Sequence, residues 1–304
     1  MSIETNLAGR LRNTHLPLNS GLLPLFEAVV NSIHAIDEAA IPNGKGRICI
    51  RIDRESEPPR LGLEDPDRRR GPEPKADIRG FTITDNGIGF GAANLQAFKT
   101  LDTDHKAALG CKGIGRLLWL KAFKKVQIES RYLDEGGVCR SRKFAFRSSV
   151  GVYDEQDLPA ETTEGTSTSI ALIEFEEKYR KAAYKNAQSI GNAILEHCIW
   201  YFVRSGGAPQ ITIEDSEETV DLDESYSAHM HSSAVADSIN IKGSEFDLIH
   251  LKRRASSNVN HMIAYCADNR LVSEEKIDGK VPGLHGRLAD DQGEFVYHCY
   301  VSSD

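Results

Sequence analysis

The run LLPLFEAVVNSIHAID, residues 22 to 37, constrains the fold more than any other part of the chain. Leu22, Phe26, Val29, Val30, Ile33 and Ile36 recur at three- and four-residue spacings, which predicts an amphipathic helix over 22 to 40 with one buried face. Pro24 falls in its first turn, where no backbone donor is lost. Downstream, GRICIRID (46–53) alternates apolar and polar residues as a half-buried strand does, and GFTIT (80–84) reads as its partner. The intervening stretch (54–78) is rich in proline and in charges of both signs. Such a segment buries too little apolar surface to order itself, so it is expected to be a mobile loop insertion.

A helix is expected near 93 to 100, and a second amphipathic one from about 114 to 125. Strands follow at VQIESRYL, CRSRKFAFRS and STSIALIEF, with a tight turn at Gly136-Gly137. A long helix over roughly 186 to 204 stops at Ser205-Gly206-Gly207. Beyond it lie short strands, PQITIED, FDLIHLK, NHMIAYCA and EFVYHCYV, and the domain boundary is placed at 205/206. The chain stops at VSSD directly after an apolar strand run, as expected of a piece of a longer protein.

A chain of 304 residues with a formal charge of −8 is long enough for two domains and too acidic to coat nucleic acid through its overall field. No run approaches the roughly 18 apolar residues of a membrane span, and the N-terminus lacks the apolar core of a signal peptide. The expectation is a cytoplasmic protein without membrane contact. The six cysteines, Cys49, Cys111, Cys139, Cys198, Cys266 and Cys299, stand singly, as reduced and mostly buried thiols do.

Four spaced elements carry the chemistry. Glu27 and Asn31 sit one turn apart on one helix face. An asparagine oxygen suits Mg²⁺ that also binds phosphate and water, and a glutamate beside it can activate a water for attack on a γ-phosphate. In ITDNGIGF, Asp85 ends a strand before Gly87 and Gly89, which let backbone approach a flat ligand. A carboxylate there accepts from the exocyclic amine of adenine, where guanine offers a carbonyl. Gly110-Cys111-Lys112-Gly113-Ile114-Gly115-Arg116 runs into a helix, and glycine-rich backbone at a helix N-terminus holds phosphates. Lys106 and Lys112 add charge. The fourth element is Gly165-Thr166. Each taken singly also reads as a solvated helix face or a plain turn.

In order and spacing these elements resemble the GHKL ATPase superfamily, which includes gyrase B, the heat-shock chaperones, histidine kinases, MutL and MORC-type proteins. Glu27-Ala-Val-Val-Asn31 matches the family's N box, Asp85, Gly87 and Gly89 its D-x-G-x-G motif, Gly110, Gly113 and Gly115 its G-x-x-G-x-G lid motif, and Gly165-Thr166 its late G-T pair. The resemblance spans about residues 15 to 204. It implies a two-layer α/β sandwich of the Bergerat type over 1 to 205, with an N-terminal strap (1–20) that helps two chains dimerise and a lid over about 91 to 115. It makes Glu27 the general base, Asn31 the Mg²⁺ ligand, Asp85 the adenine reader, and Thr166 a helper to Asp85 through water. The ligands implied are ATP and Mg²⁺, and the assembly implied is an ATP-bound homodimer whose DNA or protein client is met through regions outside this chain. His34 stands where many hydrolysing members have aspartate, with Asp37 one turn on; it is expected to pack or hydrogen-bond rather than act in chemistry.

Residues 206 to 304 are expected to form a smaller, incomplete α/β domain like the family's transducer, on the weak echo of Asn269-Arg270-Leu271-Val272 after an apolar strand. Lys276 and Lys280 lie too close to that motif to be the family's γ-phosphate lysine. The resemblance implies slow ATP hydrolysis gating a larger machine of DNA repair or defence type. The alternatives are chaperone-like protein remodelling and a histidine-kinase-type phosphotransferase; the second fits poorly, since only 26 residues precede Glu27. The basic run 99 to 131 reads first as a solvated face, and the acidic run 211 to 225 would repel DNA. His229 and His231 are the nearest approach to a metal pair, without further ligands.

Overall fold

The computed structural model describes residues 7–56, 75–100, 115–161, 165–216, 218–229, 234–254, 260–267 and 270–302. The first part carries helices α1 (Leu7–Asn13) and α2 (Leu23–Glu38), strands β1 (Arg47–Arg54) and β2 (Ile78–Asp85), and helices α3 (Ala92–Lys99) and α4 (Gly115–Ala122). Strands β3 (Phe123–Leu133), β4 (Cys139–Arg147), β5 (Gly151–Pro159) and β6 (Ser167–Phe175) follow, then the short α5 (Glu177–Arg180) and the long α6 (Ala187–Val203). After these come β7 (Gln210–Glu214), β8 (Thr219–Asp221) and α7 (Leu222–His229), and then β9 (Ala234–Ile241), β10 (Ser244–Arg253), β11 (Met262–Ala267), β12 (Arg270–Lys276), β13 (Leu288–Asp290) and β14 (Gly293–Ser302).

Eight strands form one sheet in the order β5-β4-β3-β6-β2-β1-β7-β8, antiparallel throughout except where β7 joins β1. Helices cover one face, giving the two-layer α/β sandwich. The buried stripe of α2, Leu25, Ala28, Val29, Ile33 and Ile36, lies in one core with Ile48, Ile50, Phe81, Ile83, Ile128 and Leu172 from inward strand positions. Ile33 is fully buried, so Ile33→Ala would remove about 3 kcal/mol. Among the described residues α6 is the longest helix, and it is apolar almost all round because it is covered on both sides. One side lies in the core of the first sheet. The other meets a second sheet, β12-β11-β14-β10-β9, where Trp200 stacks on Tyr300 at 5.6 Å and Glu196 pairs with Arg253 at 2.6 Å. Asn186 caps α6 by accepting from Ser189 N at 2.7 Å.

Several expectations change. The helix expected to reach residue 125 ends at Ala122, because Phe123 pairs with Phe175 across β3 and β6 and the rings stack at 4.7 Å. Strand β5 was not anticipated: it is an edge strand whose side chains are mostly exposed, so it lacks the alternation that burial imposes. The division expected at 205/206 does not separate the two sheets. β7 and β8, beyond it, complete the first sheet, with β7 parallel to β1 through the α6 crossover. From residue 234 onward the described residues hold strands and no helix, and α6 supplies the helical layer for the second sheet.

Residues 57 to 74 of the expected insertion lie outside the described residues. The chain on either side of them is tied together: Arg54 donates to Asp215 at 2.7 Å through both Nε and Nη2, and Lys75 reaches Asp215 at 2.9 Å and Glu218 at 2.8 Å. Of the expected strap, residues 7 to 20 pack on their own chain. Leu16 joins the core, and its carbonyl accepts from the Tyr179 hydroxyl at 3.4 Å.

Candidate functional site

The polar side of α2 faces away from the core. Glu27 is partly buried and Asn31 exposed, and Ala35 completes the line one further turn on. Two helical turns, about 12 Å, separate Glu27 from Ala35. Glu27 sits in apolar surroundings, and burial raises its carboxyl above the usual range, the direction a general base near neutrality needs. The same carboxylate lies close enough to Cys198 on α6 to add to the burial that pushes that thiol up to about 12. Cys198 is an inert core thiol.

At the far end of the line lies Asp85, the last residue of β2. Its side chain is 4% exposed. Ser32 Oγ donates to its Oδ2 at 2.8 Å, and Gly87 N donates to its Oδ1 at 2.9 Å. These bonds favour the carboxylate, yet burial outweighs them and raises Asp85 to about 6. A carboxylate so placed has acceptor positions left over and gains from any donor brought to it.

The turn after Asp85 is fixed at nearly every residue. Asn86 accepts from Arg47 N at 2.8 Å and donates to Lys45 O at 2.9 Å, and Ile88 N donates to Ala35 O at 3.0 Å. Phe90 N donates to Ser130 Oγ at 2.8 Å, and Phe90 O accepts from Arg142 at 2.7 Å. Two glycines permit this. A Cβ on Gly87 would stand 2.6 Å from the Ala35 carbonyl carbon, and Gly89 adopts φ +82° against the Arg131 carbonyl. The turn is therefore pressed against α2 and β3 and is set before any ligand arrives.

Opposite Asp85 on β6 stands Thr168, and opposite Thr168 on β3 stands Ser130. Cross-strand partners point to the same face, so Asp85, Thr168 and Ser130 form a buried polar row, each under 5% exposed. Thr166 lies just before β6, two residues from Thr168, and Gly165 before it has φ +60°.

Of the third element, Lys106, Gly110, Lys112, Gly113 and Ile114 lie outside the described residues, as does Cys111. Gly115 opens α4, and a Cβ there would stand 2.7 Å from Glu27 Oε2, so this glycine keeps room for the carboxylate. Trp119 on α4 fixes the two helices by donating to Pro24 O at 3.0 Å. Arg116, expected at the phosphates, gives Nη1 to Ala97 O at 2.9 Å and Nη2 to Thr100 O at 2.7 Å, satisfying the last carbonyls of α3.

His34 does not face Asp85. Its Nε2 hydrogen-bonds the Tyr201 hydroxyl at 2.8 Å, while Asp37 forms two bonds with Arg204 at 2.8 and 2.9 Å; together they pin the end of α2 to the end of α6. His229 ends a helix rather than standing on a strand, and His231 lies outside the described residues. No cluster of three or more metal-ligating side chains exists among the described residues. Lys280 is paired with Glu275.

Sequence reading missed Ser32, Thr168 and Ser130. The signal was available: Ser32 is a hydroxyl on the buried stripe of an otherwise apolar helix, and Thr168 and Ser130 occupy inward strand positions where neighbouring inward residues are Ile170 and Ile128.

No protein-family model matches the sequence, and no curated protein matches it significantly. Solved structures do. The 43K ATPase domain of Thermus thermophilus gyrase B is similar at 11% identity, over 93% of this chain and 76% of that one, with a TM-score of 0.49. The ATPase region of Saccharomyces cerevisiae topoisomerase II is similar at 10% identity, over 93% and 73%, with a TM-score of 0.48. The ATPase and transducer domains of topoisomerase II from Balamuthia mandrillaris are similar at 13%, over 82% and 60%, with a TM-score of 0.48. This likeness is one of fold. Among the described residues no helix is long and apolar enough to cross a membrane.

Proposed function

We propose that the chain is the ATP-binding and hydrolysing module of a GHKL-type ATPase. The observation that supports this best is Asp85: a buried carboxylate held by Ser32 and Gly87 on a pre-set glycine turn, at the opposite end of one helix face from Glu27. Adenine is the ligand that matches it, because its exocyclic amine brings the donor this desolvated carboxylate lacks. The base lies on the Asp85 end, and the phosphates run along α2 toward Asn31 and Glu27.

Asn31 provides one exposed amide oxygen, which fits Mg²⁺ bound chiefly by phosphate and water. The ion, when bound, neutralises charge on the phosphates. Glu27 orients a water and takes its proton, aided by the apolar setting that raises its basicity. Gly115 leaves the space in which that carboxylate moves. The glycine-rich run 110 to 115, with Lys106 and Lys112, contributes phosphate contacts in this reading.

In this reading the chain is a switch. ATP favours one arrangement by contacts it makes only there, two chains associate, and slow hydrolysis releases them. The larger machine is DNA-associated, of repair or defence type. The test is steady-state hydrolysis by the chain and by Glu27→Ala, with Mg²⁺-dependent ATP binding measured alongside. The parent turns over and both bind. Failure of the parent to bind ATP would sink the proposal.

A further inference from the structure

The buried polar row does not stop at Ser130. Arg142 on β4 is the cross-strand partner of Ser130, and Asp157 on β5 is the partner of Arg142. Asp85, Thr168, Ser130, Arg142 and Asp157 thus stand in one register line across five neighbouring strands, from the end of β2 to the edge of the sheet. Partners in such a line point to one face. Asp85, Thr168, Ser130 and Arg142 are each at most 5% exposed.

A buried cation is costly unless partners compensate it. Arg142 has three. Its Nη1 donates to Phe90 O at 2.7 Å, and its Nη2 donates to the Tyr132 hydroxyl at 2.7 Å and meets the Asp157 carboxylate. The guanidinium also lies 4.5 Å from the centre of the Tyr132 ring. Tyr132 donates in turn to Asp157 at 2.8 Å, and Arg140 donates to the other Asp157 oxygen at 2.8 Å. One cross-strand pair therefore holds both backbone groups of Phe90: Ser130 its N–H and Arg142 its C=O. Phe90 is where the glycine turn that starts at Asp85 leaves the sheet.

We infer that Arg142, oriented by Asp157, is a positioning residue for the base site: it fixes the exit of the turn in the same register line that carries Asp85, so residues 87 to 90 stand at a set distance from that carboxylate. Both residues act through Phe90 and not on the nucleotide. The inference rests on the ATP reading and deepens it, since a wall set in advance spares the site the ordering that binding would otherwise demand.

The test measures, for the parent, Arg142→Met, Asp157→Asn and Asp215→Ala, the ATP dissociation constant by titration calorimetry, turnover at saturating ATP, and hydrogen exchange of the amides of residues 86 to 91 without nucleotide. Arg142→Met keeps a long unbranched stem and leaves Arg140 on Asp157, but Phe90 O loses its donor. Its dissociation constant rises about tenfold, the low end for a hydrogen bond to a charged group. Exchange across 86 to 91 quickens, and turnover at saturation stays parental because Glu27 lies at the other end of the helix face. Asp157→Asn keeps Arg142 in place with a neutral partner that holds it about half as strongly, so the rise is about threefold. Asp215→Ala, beside Arg54 and Lys75 and away from the turn, controls for lost stability: it melts earlier with a parental dissociation constant. If Arg142→Met gives no cooperative melt, Asp157→Asn on the partly exposed edge strand decides alone. Parental dissociation constants in the folded variants, or an equal rise in Asp215→Ala, would overturn the inference while leaving ATP binding in place, whereas a parent that binds no ATP overturns the ATP reading and the inference with it.

Discussion

Ser32 Oγ donates to Asp85 Oδ2 at 2.8 Å, a bond between helix α2 and the end of β2 that joins residues 53 positions apart. Because Ser32 is fully buried, the bond has no water to replace it. Ser32→Ala therefore leaves the carboxylate held by Gly87 N alone. We expect ATP affinity to fall about ten- to a hundredfold and stability to drop by about 1.5–3 kcal/mol, the range for a hydrogen bond to a charged group. Titration calorimetry and urea melts of the variant check both numbers, and an unchanged dissociation constant would remove Ser32 from the site.

Asp85 also sets a pH dependence. Its ordinary value is 3.8 and its folded value about 6, raised by burial. Above pH 3.8 the unfolded chain loses this proton while the folded chain keeps it, so the group's contribution to stability falls from about pH 4 to about pH 6 and is constant above. The shift of about two units amounts to about 3 kcal/mol against folding at neutral pH. Asp85→Asn removes that penalty, and its melting temperature at pH 7.5 is expected to rise. Its amide would turn donors toward Ser32 and the base, so ATP binding is lost. In the parent, ATP affinity should strengthen as pH rises through 6 and level off by 7. Affinity measured from pH 5 to 8 gives the profile, and a flat line would separate Asp85 from recognition.

How much of this was legible depends on which rule wrote each residue. The helix over 22 to 40, the alternation of β1 and the glycines of the Asp85 turn follow from local periodicity and local turn chemistry, and the structure places them as the pattern implies. Ser32, Thr168 and Ser130 matter through partners on other elements, 38 to 53 residues away in the chain, and no local pattern encodes those partners. Arg116 shows the converse. Its place in a glycine-rich run pointed to phosphate, while the fold brings the first turn of α4 against the end of α3, where its donors go to Ala97 and Thr100. The joining of β7 to β1 escaped because a parallel pairing is made through the whole of α6, and nothing in PQITIED distinguishes a strand of the first sheet from one of the second.

Asp215 anchors the described residues around 57 to 74. Its side chain is fully buried, and Arg54, 10% exposed, supplies two of its bonds and Lys75 a third. The Arg54 guanidinium beside it holds the carboxyl well below the usual carboxylate range. A depressed acid contributes its stability above the unfolded value near 3.8 and loses it as pH falls toward the folded value. Asp215→Ala leaves Arg54 nearly buried without its counter-ion and should cost about 3 kcal/mol at pH 7. The difference between parent and variant in urea melts should shrink from pH 5 to pH 3, and a constant difference would show that the ion pair is not its source.

Gly115 separates a requirement of the fold from a requirement of the chemistry. A Cβ at Gly87 would meet the Ala35 backbone at 2.6 Å, and a helix backbone cannot give way, so Gly87→Ala is expected to fold poorly. At Gly115 the nearest atom is Glu27 Oε2, at 2.7 Å, the end of a flexible side chain that swings aside at little cost. Alanine also suits a helix better than glycine, by up to about 1 kcal/mol. Gly115→Ala should thus melt no lower than the parent, and because alanine keeps the backbone N–H that the phosphate reading uses and Glu27 does not hold the nucleotide, ATP affinity should stay similar. The displaced carboxylate no longer meets the attacking water, and a 1 Å misplacement of a catalytic group is enough for a loss of about 100-fold. Turnover should fall with the Michaelis constant little changed. Parental turnover in a well-folded Gly115→Ala would mean that the base is not Glu27.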